Sequence, residues 1–142
     1  MPRYFEDLKV GDGFETPGRT ITEADVVGFA AISGDYDPLD FTAGQPDLPP
    51  VVPDLLVMAI TSGLGFRAPG EMPQILAFMV FDLRMHLPVR VGDTIRCRIR
   101  VAAMRPMKDG GVIVEQREMV NQRGDVVQES EYKLLVARRP RE

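Results

Sequence analysis

Residues 55–64 read LLVMAITSGL, and the character of this run decides the architecture. It is apolar nearly all round at helical spacing, so the helix it forms must be enclosed by other structure rather than lie on a surface. The run is far shorter than the roughly 20 residues that a bilayer crossing takes. It therefore reads as a core helix, and the rest of the chain has to supply the wrapping.

The second half of the chain supplies it. Residues 76–87 place Ala77, Met79, Phe81, Leu83, Met85 and Leu87 on one phase of a strand, with Asp82, Arg84 and His86 ending the other. Residues 94–104 alternate Ile95, Cys97, Ile99 and Val101 against Arg96, Arg98 and Arg100, the pattern of a half-buried strand. Residues 106–111 (PMKDGG) make a hairpin loop and residues 112–120 a returning strand. Residues 121–125 (NQRGD) form a turn with glycine where positive φ is needed. Residues 126–137 alternate again, with Tyr132, Leu134 and Val136 opposite Glu129, Glu131 and Lys133. Long antiparallel strands after one apolar helix predict an α+β hotdog fold: a curved sheet wrapped around a central helix, with one charged face in water. A generic α+β sandwich is the alternative that this pattern leaves open.

Upstream of the central helix, residues 4–13 (YFEDLKVGDG) form an entry segment closed by a turn, and a short strand follows around residues 14–21. Thr22 then reads as a helix N-cap, with Asp25 three residues on as a relative of the capping box. The helix runs to about Ser33 and buries Val26, Phe29 and Ala30, with Ile32 at the margin of that face. Gly34 ends it. The proline-rich stretch 37–53 is loop.

Bulk composition narrows the function classes. With 142 residues and no repeat or linker, residues 1–142 are expected to form one domain. A net charge of −4 argues against nucleic acid as the main partner. A single cysteine, Cys97, excludes an internal disulfide, and a single histidine, His86, leaves no usual metal cluster, so neither metal nor cofactor is expected. Without an apolar leader at its start or a membrane-length run, the chain is expected to be cytoplasmic.

The chemistry centres on residues 33–40, SGDYDPLD, which follow the first helix. Asp35, Asp37 and Asp40 crowd one Gly/Pro-interrupted turn, and such charges must face solvent, a partner or a ligand. This turn resembles the S-G-D-x-N-P-x-H turn of the MaoC-like dehydratases, the family of the R-specific enoyl-CoA hydratases. Ser33, Gly34, Asp35, Pro38 and Leu39 match, whereas Asp37 stands for the family's Asn and Asp40 for its His. The family's G-P-I-x-H-G entry to the central helix is replaced by residues 49–54, PPVVPD. Residues 87–95, LPVRVGDTI, match the P-V-x-x-G-D-T-I segment, and the likeness extends over most of the chain.

The resemblance implies addition of water to, or its removal from, an acyl thioester, with Asp35 and Asp40 as the catalytic pair. Two carboxylates can share the work if crowding lets them share a proton. Asp35 is also a good turn residue, and a solvated acidic turn is the plainer reading of Asp37. At the helix head, Pro53 has no N–H to offer an oxyanion, and Asp54 puts negative charge where an enolate would develop, although its backbone N–H remains a donor. Asp37, Asp54, Leu55, Met58, Ser62, Phe78 and Met79 are the expected substrate-binding residues. Ser62 equally suits a back-bond within the helix. His86 falls on the polar strand phase and reads as an exposed histidine. Cys97 reads as a buried thiol. Arg96, Arg98 and Arg100, with Arg67 or Arg84, suit either coenzyme A phosphates or a solvated sheet face.

The implied partners are an acyl-CoA, a carrier-protein-bound acyl group or a small biosynthetic intermediate, with no nucleic acid and no membrane. An edge strand and an apolar flank call for a second subunit, as a homodimer or a mixed dimer. The competing readings are a different proton-transfer or cyclisation reaction in the same pocket, and an inactive hotdog subunit that pairs with an intact Asp/His hydratase or binds a ligand without turning it over.

Overall fold

The computed structural model describes residues 3–36 and 45–140. A 3-10 turn at Phe5–Asp7 precedes two short strands, β1 (Gly13–Glu15) and β2 (Arg19–Thr20). Helix α1 (Glu23–Ser33) and helix α2 (Asp54–Gly65) follow, then four long strands: β3 (Ile75–Met85), β4 (Thr94–Met107), β5 (Gly110–Val120) and β6 (Val126–Val136). The antiparallel sheet runs β1-β4-β5-β6-β3, with β2 on β4. This is the hotdog fold. The single strand expected around residues 14–21 is two, because Pro17 and Gly18 interrupt the ladder and both pieces pair with β4.

Local chemistry sets α1. The Thr22 hydroxyl accepts from the Asp25 N–H, and the Asp25 carboxylate accepts from the Thr22 N–H at 2.9 Å, a reciprocal capping box. Gly34 ends the helix at φ +73°, a conformation that costs glycine little. Val26 and Ala30 are buried and Phe29 is half-buried. Ile32, placed on that face from sequence, is 90% exposed and points away from the core.

Helix α2 packs Leu56, Val57, Ile60 and Leu64 against Ile95, Cys97 and Ile99 of β4, Met119 of β5 and Val127 of β6. It is not enclosed all round as its composition suggests: Leu55 and Ala59 lie on an open side. A second cluster joins Phe5 and Leu8 to Ile113, Tyr132, Leu134 and Val136. There Phe5 lies against Gly111, where a Cβ would come within 2.1 Å of its ring.

The alternation of β4 and β6 is as expected. The β4–β5 hairpin is tighter, because the strands continue to Met107 and resume at Gly110. The apolar phase read along β3 is not buried. The strand forms the sheet edge, two register shifts break its alternation against β6, and only Leu83 along it is less than exposed.

Candidate active site

Gly34 turns the chain out of α1 and delivers Asp35 to a cleft at the head of α2. The Asp35 N–H donates to the Ser33 hydroxyl at 3.1 Å, and that hydroxyl donates to the Phe29 carbonyl at 2.7 Å, which fixes the bend. On the opposite wall the chain enters α2 through a braced segment. Val52 N–H donates to the Val89 carbonyl at 2.7 Å, and Val91 N–H donates to the Pro50 carbonyl at 2.9 Å. The Arg90 guanidinium holds the Pro49 carbonyl and the Gln45 amide oxygen. Pro53 precedes α2 rather than opening it, and its carbonyl accepts from Leu56 and Val57. Asp54 is therefore the first helical residue.

The cleft has a volume of about 270 Å³. Asp35 and Asp54 both line it, with Phe29, Leu55 and Met85 as apolar walls and residues 51–53 along the braced segment. Of the residues singled out from sequence, it thus brings together Asp35, Asp54 and Leu55. Asp37 and Asp40 lie outside the described residues. Met58 packs against the Phe5 cluster, and Ser62 is half-buried on α2 away from the cleft. Phe78 sits on the β3 edge with its ring edge-on to Tyr132 at 4.9 Å, and Met79 is exposed on the same strand.

Two buried polar features escape a sequence reading. Gln128 on β6 is fully buried, and its amide donates to the Asp54 carbonyl at 3.0 Å and to the Asp54 carboxylate at 3.3 Å. The signal was available: Gln128 shares the inward phase of Tyr132, Leu134 and Val136, and an uncharged polar residue at such a position asks for a partner. The second feature is the buried pair Glu115–Arg117 on β5. Both Nε and Nη2 of Arg117 donate to one Glu115 oxygen, at 3.1 and 2.7 Å. The guanidinium lies 4.0 Å from the centre of the Tyr132 ring. Burial pushes the Tyr132 phenol up from its ordinary value, partly offset by that guanidinium. Glu115 borders a second cavity, of about 200 Å³, together with Arg3, Leu8 and Met72. Among the described residues, none of the acidic turn lines it.

The remaining candidates resolve plainly. His86 is exposed, with Nε2 2.8 Å from Glu129. Cys97 is buried, and burial pushes its thiol up to about 12. Arg96 and Arg98 both pair with Glu15, Arg98 also approaches Glu118, and Arg84 pairs with Asp82, so these arginines belong to an ion-paired sheet face. Among the described residues no helix is long and apolar enough to cross a membrane.

Comparison with known proteins turns this geometry into a family. The model of the MaoC like domain matches residues 7–122. The chain belongs to the MaoC-like dehydratase family. It is 39% identical over 101 residues to Protein MaoC of Klebsiella aerogenes, covering 68% of this chain and 30% of that protein. It is 30% identical over 141 residues to the (R)-specific enoyl-CoA hydratase of Rhodospirillum rubrum, covering 96% of this chain and 93% of the hydratase. The crystal structure of a MaoC-like dehydratase from Rhodospirillum rubrum superposes with a TM-score of 0.81 at 29% identity, over 98% of this chain and 99% of that one. The chain thus spans under a third of the first relative and nearly all of the second. Within this MaoC-like fold, the cleft at the head of α2 brings Asp35, just past the end of α1, together with Asp54, the first residue of α2.

Proposed function

We propose that this chain is a divergent hydratase or dehydratase acting on an acyl thioester, with Asp35 and Asp40 sharing the acid/base work. The observation that carries the reading is the position of Asp35 at the cleft beside the head of the central helix, in a chain of the MaoC-like family. In the hydration direction, a carboxylate takes a proton from water as its oxygen bonds to the β-carbon. The α-carbon gains a proton from the protonated partner, and dehydration reverses both steps. The main-chain N–H groups that open α2 are the available donors for the thioester carbonyl. Asp37 borders the same turn in this reading, and Met58, Ser62, Phe78 and Met79 would meet the acyl group only through a neighbouring subunit or a longer ligand. One domain carries the whole site, in a cytoplasmic setting.

A second copy of the chain is the expected occupant of β3. Leu76, Phe78, Val80 and Phe81 are exposed along a sheet edge whose N–H and C=O groups would otherwise template aggregation. The rival reading, an inactive subunit paired with an intact Asp/His hydratase, is favoured by Asp40 and Asp54 standing where the family pattern has His and Gly.

Steady-state hydration of crotonyl-CoA by the purified chain tests the proposal. Asp35→Asn and Asp40→Asn are each expected to lower kcat by at least about a hundredfold. Rates unchanged by both would remove the shared-carboxylate mechanism. Activity that appears only on co-expression with an Asp/His subunit would establish the rival.

A further inference from the structure

The cavity bordered by Glu115 lies at the opposite end of α2 from the cleft. Residues 68–73, which follow the helix, form one wall, and Phe14, Ile99 and Val101 form another. A helix of 12 residues is about 18 Å long, so the two sites are separate. Glu115 is 5% exposed, and both Arg117 bonds end on its Oε2. No other donor among the described residues reaches the carboxylate, so Oε1 is left without a hydrogen bond. Yet Oε1 is not sealed in the core as the Gln128 amide oxygen and the Tyr132 hydroxyl are. Glu115 meets open space at this cavity, and Oε1 is the oxygen that faces it. A carboxylate oxygen held there takes its bonds from whatever enters.

We propose that this cavity binds a small organic cation, a primary ammonium on a compact apolar body, with the ammonium donating to Glu115 Oε1. The inference stands apart from the thioester reading. Charge sets the class of ligand. Of the four charged side chains that line the cavity, Asp12, Glu71 and Glu115 are carboxylates and Arg3 alone is a cation. Arg3 is paired with Asp12 at 3.1 Å, so it does not compete for Glu115. Arg117, stacked on the Tyr132 ring, anchors the carboxylate from behind, so Oε1 is aimed before a ligand arrives. A fixed carboxylate oxygen accepts from an ammonium more strongly than from a neutral hydroxyl, and it repels an anion. Size sets the rest: an apolar cavity of roughly 150 Å³ holds benzene. At about 200 Å³, this one has room for a ring and a short ammonium arm.

NMR titration of the isotope-labelled chain with benzylammonium and with benzyl alcohol, its neutral isostere, tests this. The amides of Gly13, Gly70 and Glu71, on the cavity walls, report occupancy. Benzylammonium is expected to saturate their shifts with a Kd at least about tenfold below that of benzyl alcohol, as for one hydrogen bond to a charged acceptor. Glu115→Gln keeps an acceptor for Arg117 and removes the charge. It is expected to weaken benzylammonium at least about tenfold while the benzyl alcohol Kd moves less than about threefold. Should that variant fail to fold, Glu115→Leu with Arg117→Met, which strands no charge, reads the same loss. Shifts that saturate at Val52, Asp54 and Leu55 in place of the cavity amides would put the cation in the cleft and overturn the inference. Equal affinity for ammonium and alcohol would overturn it too, as would no saturation by about 10 mM benzylammonium.

Discussion

Replacing Arg117 with methionine tests how the concave face of the sheet is held together beneath the central helix. The side chains of Arg117 and Glu115 are 6% and 7% exposed, so the loss of one charge strands the other where water barely reaches. Two charge-assisted bonds to a single carboxylate oxygen disappear, as does the stacking on Tyr132. A Cβ at Gly65, the last residue of α2, would lie 3.6 Å from Arg117 Nη1, so the cation also stands at the negative end of that helix. Breaking a buried pair from one side costs about 3–5 kcal/mol. For a chain of this size that corresponds to a fall in Tm of roughly 10–15 °C. Glu115→Leu alone should cost a similar amount, because it leaves the guanidinium unpaired. The double variant should recover to within about 2 kcal/mol of the parent, since matched apolar replacement of a buried pair is often nearly neutral. Urea unfolding of all four proteins at one fixed concentration gives the coupling, with self-association kept constant. A single-variant cost under about 1 kcal/mol, or strictly additive costs, would refute the claim that this pair bears on stability.

Removal of the α1 cap by Asp25→Ala should cost about 1 kcal/mol in urea unfolding, with a contribution also from the 2.7 Å bond to Arg19. The backbone N–H of Thr22 is the main cause holding the Asp25 carboxyl below its ordinary value of 3.8. Its stabilisation is therefore present above that value and lost as pH falls below it, so the parent and Asp25→Ala should converge in stability at low pH; a gap that stays constant with pH would contradict this. Cys97 should resist a thiol reagent at pH 8 until the chain unfolds, because its thiol is pushed up to about 12, and prompt labelling of the native protein would show the site to be open. Phe78→Glu with Val80→Glu should convert the proposed dimer into a monomer by light scattering, with little change in far-UV dichroism; a mass equal to the parent's would refute pairing through β3.

The elements that sequence reading recovered depend on neighbours close along the chain. The capping box of Thr22 and Asp25 joins residues three apart, Gly34 and Gly124 supply positive φ where helix and turn require it, and β4 and β6 announce their buried phase by alternation over most of their length. The placement of Asp35 at the end of α1 was legible for the same reason. β3 was not, because its side chains alternate like those of a half-buried strand while its position at the sheet edge leaves it uncovered. Periodicity records what a strand would bury, and not whether a partner is present.

By itself the sequence determined the helices, the caps of α1, the order of the long strands and the acidic character of the bend, since each follows from propensity and short-range hydrogen bonding. Only the tertiary structure decided which polar groups meet. Gln128 and Asp54 are 74 residues apart, and they touch because the β3–β6 register and the packing of α2 bring them together. Glu115 and Arg117 look like surface charges in the linear chain, and they become a buried pair because the curl of the sheet turns their phase inward beneath the helix. Contacts of that kind depend on register and curvature, which are set by the sum of the packing rather than by any local run of residues.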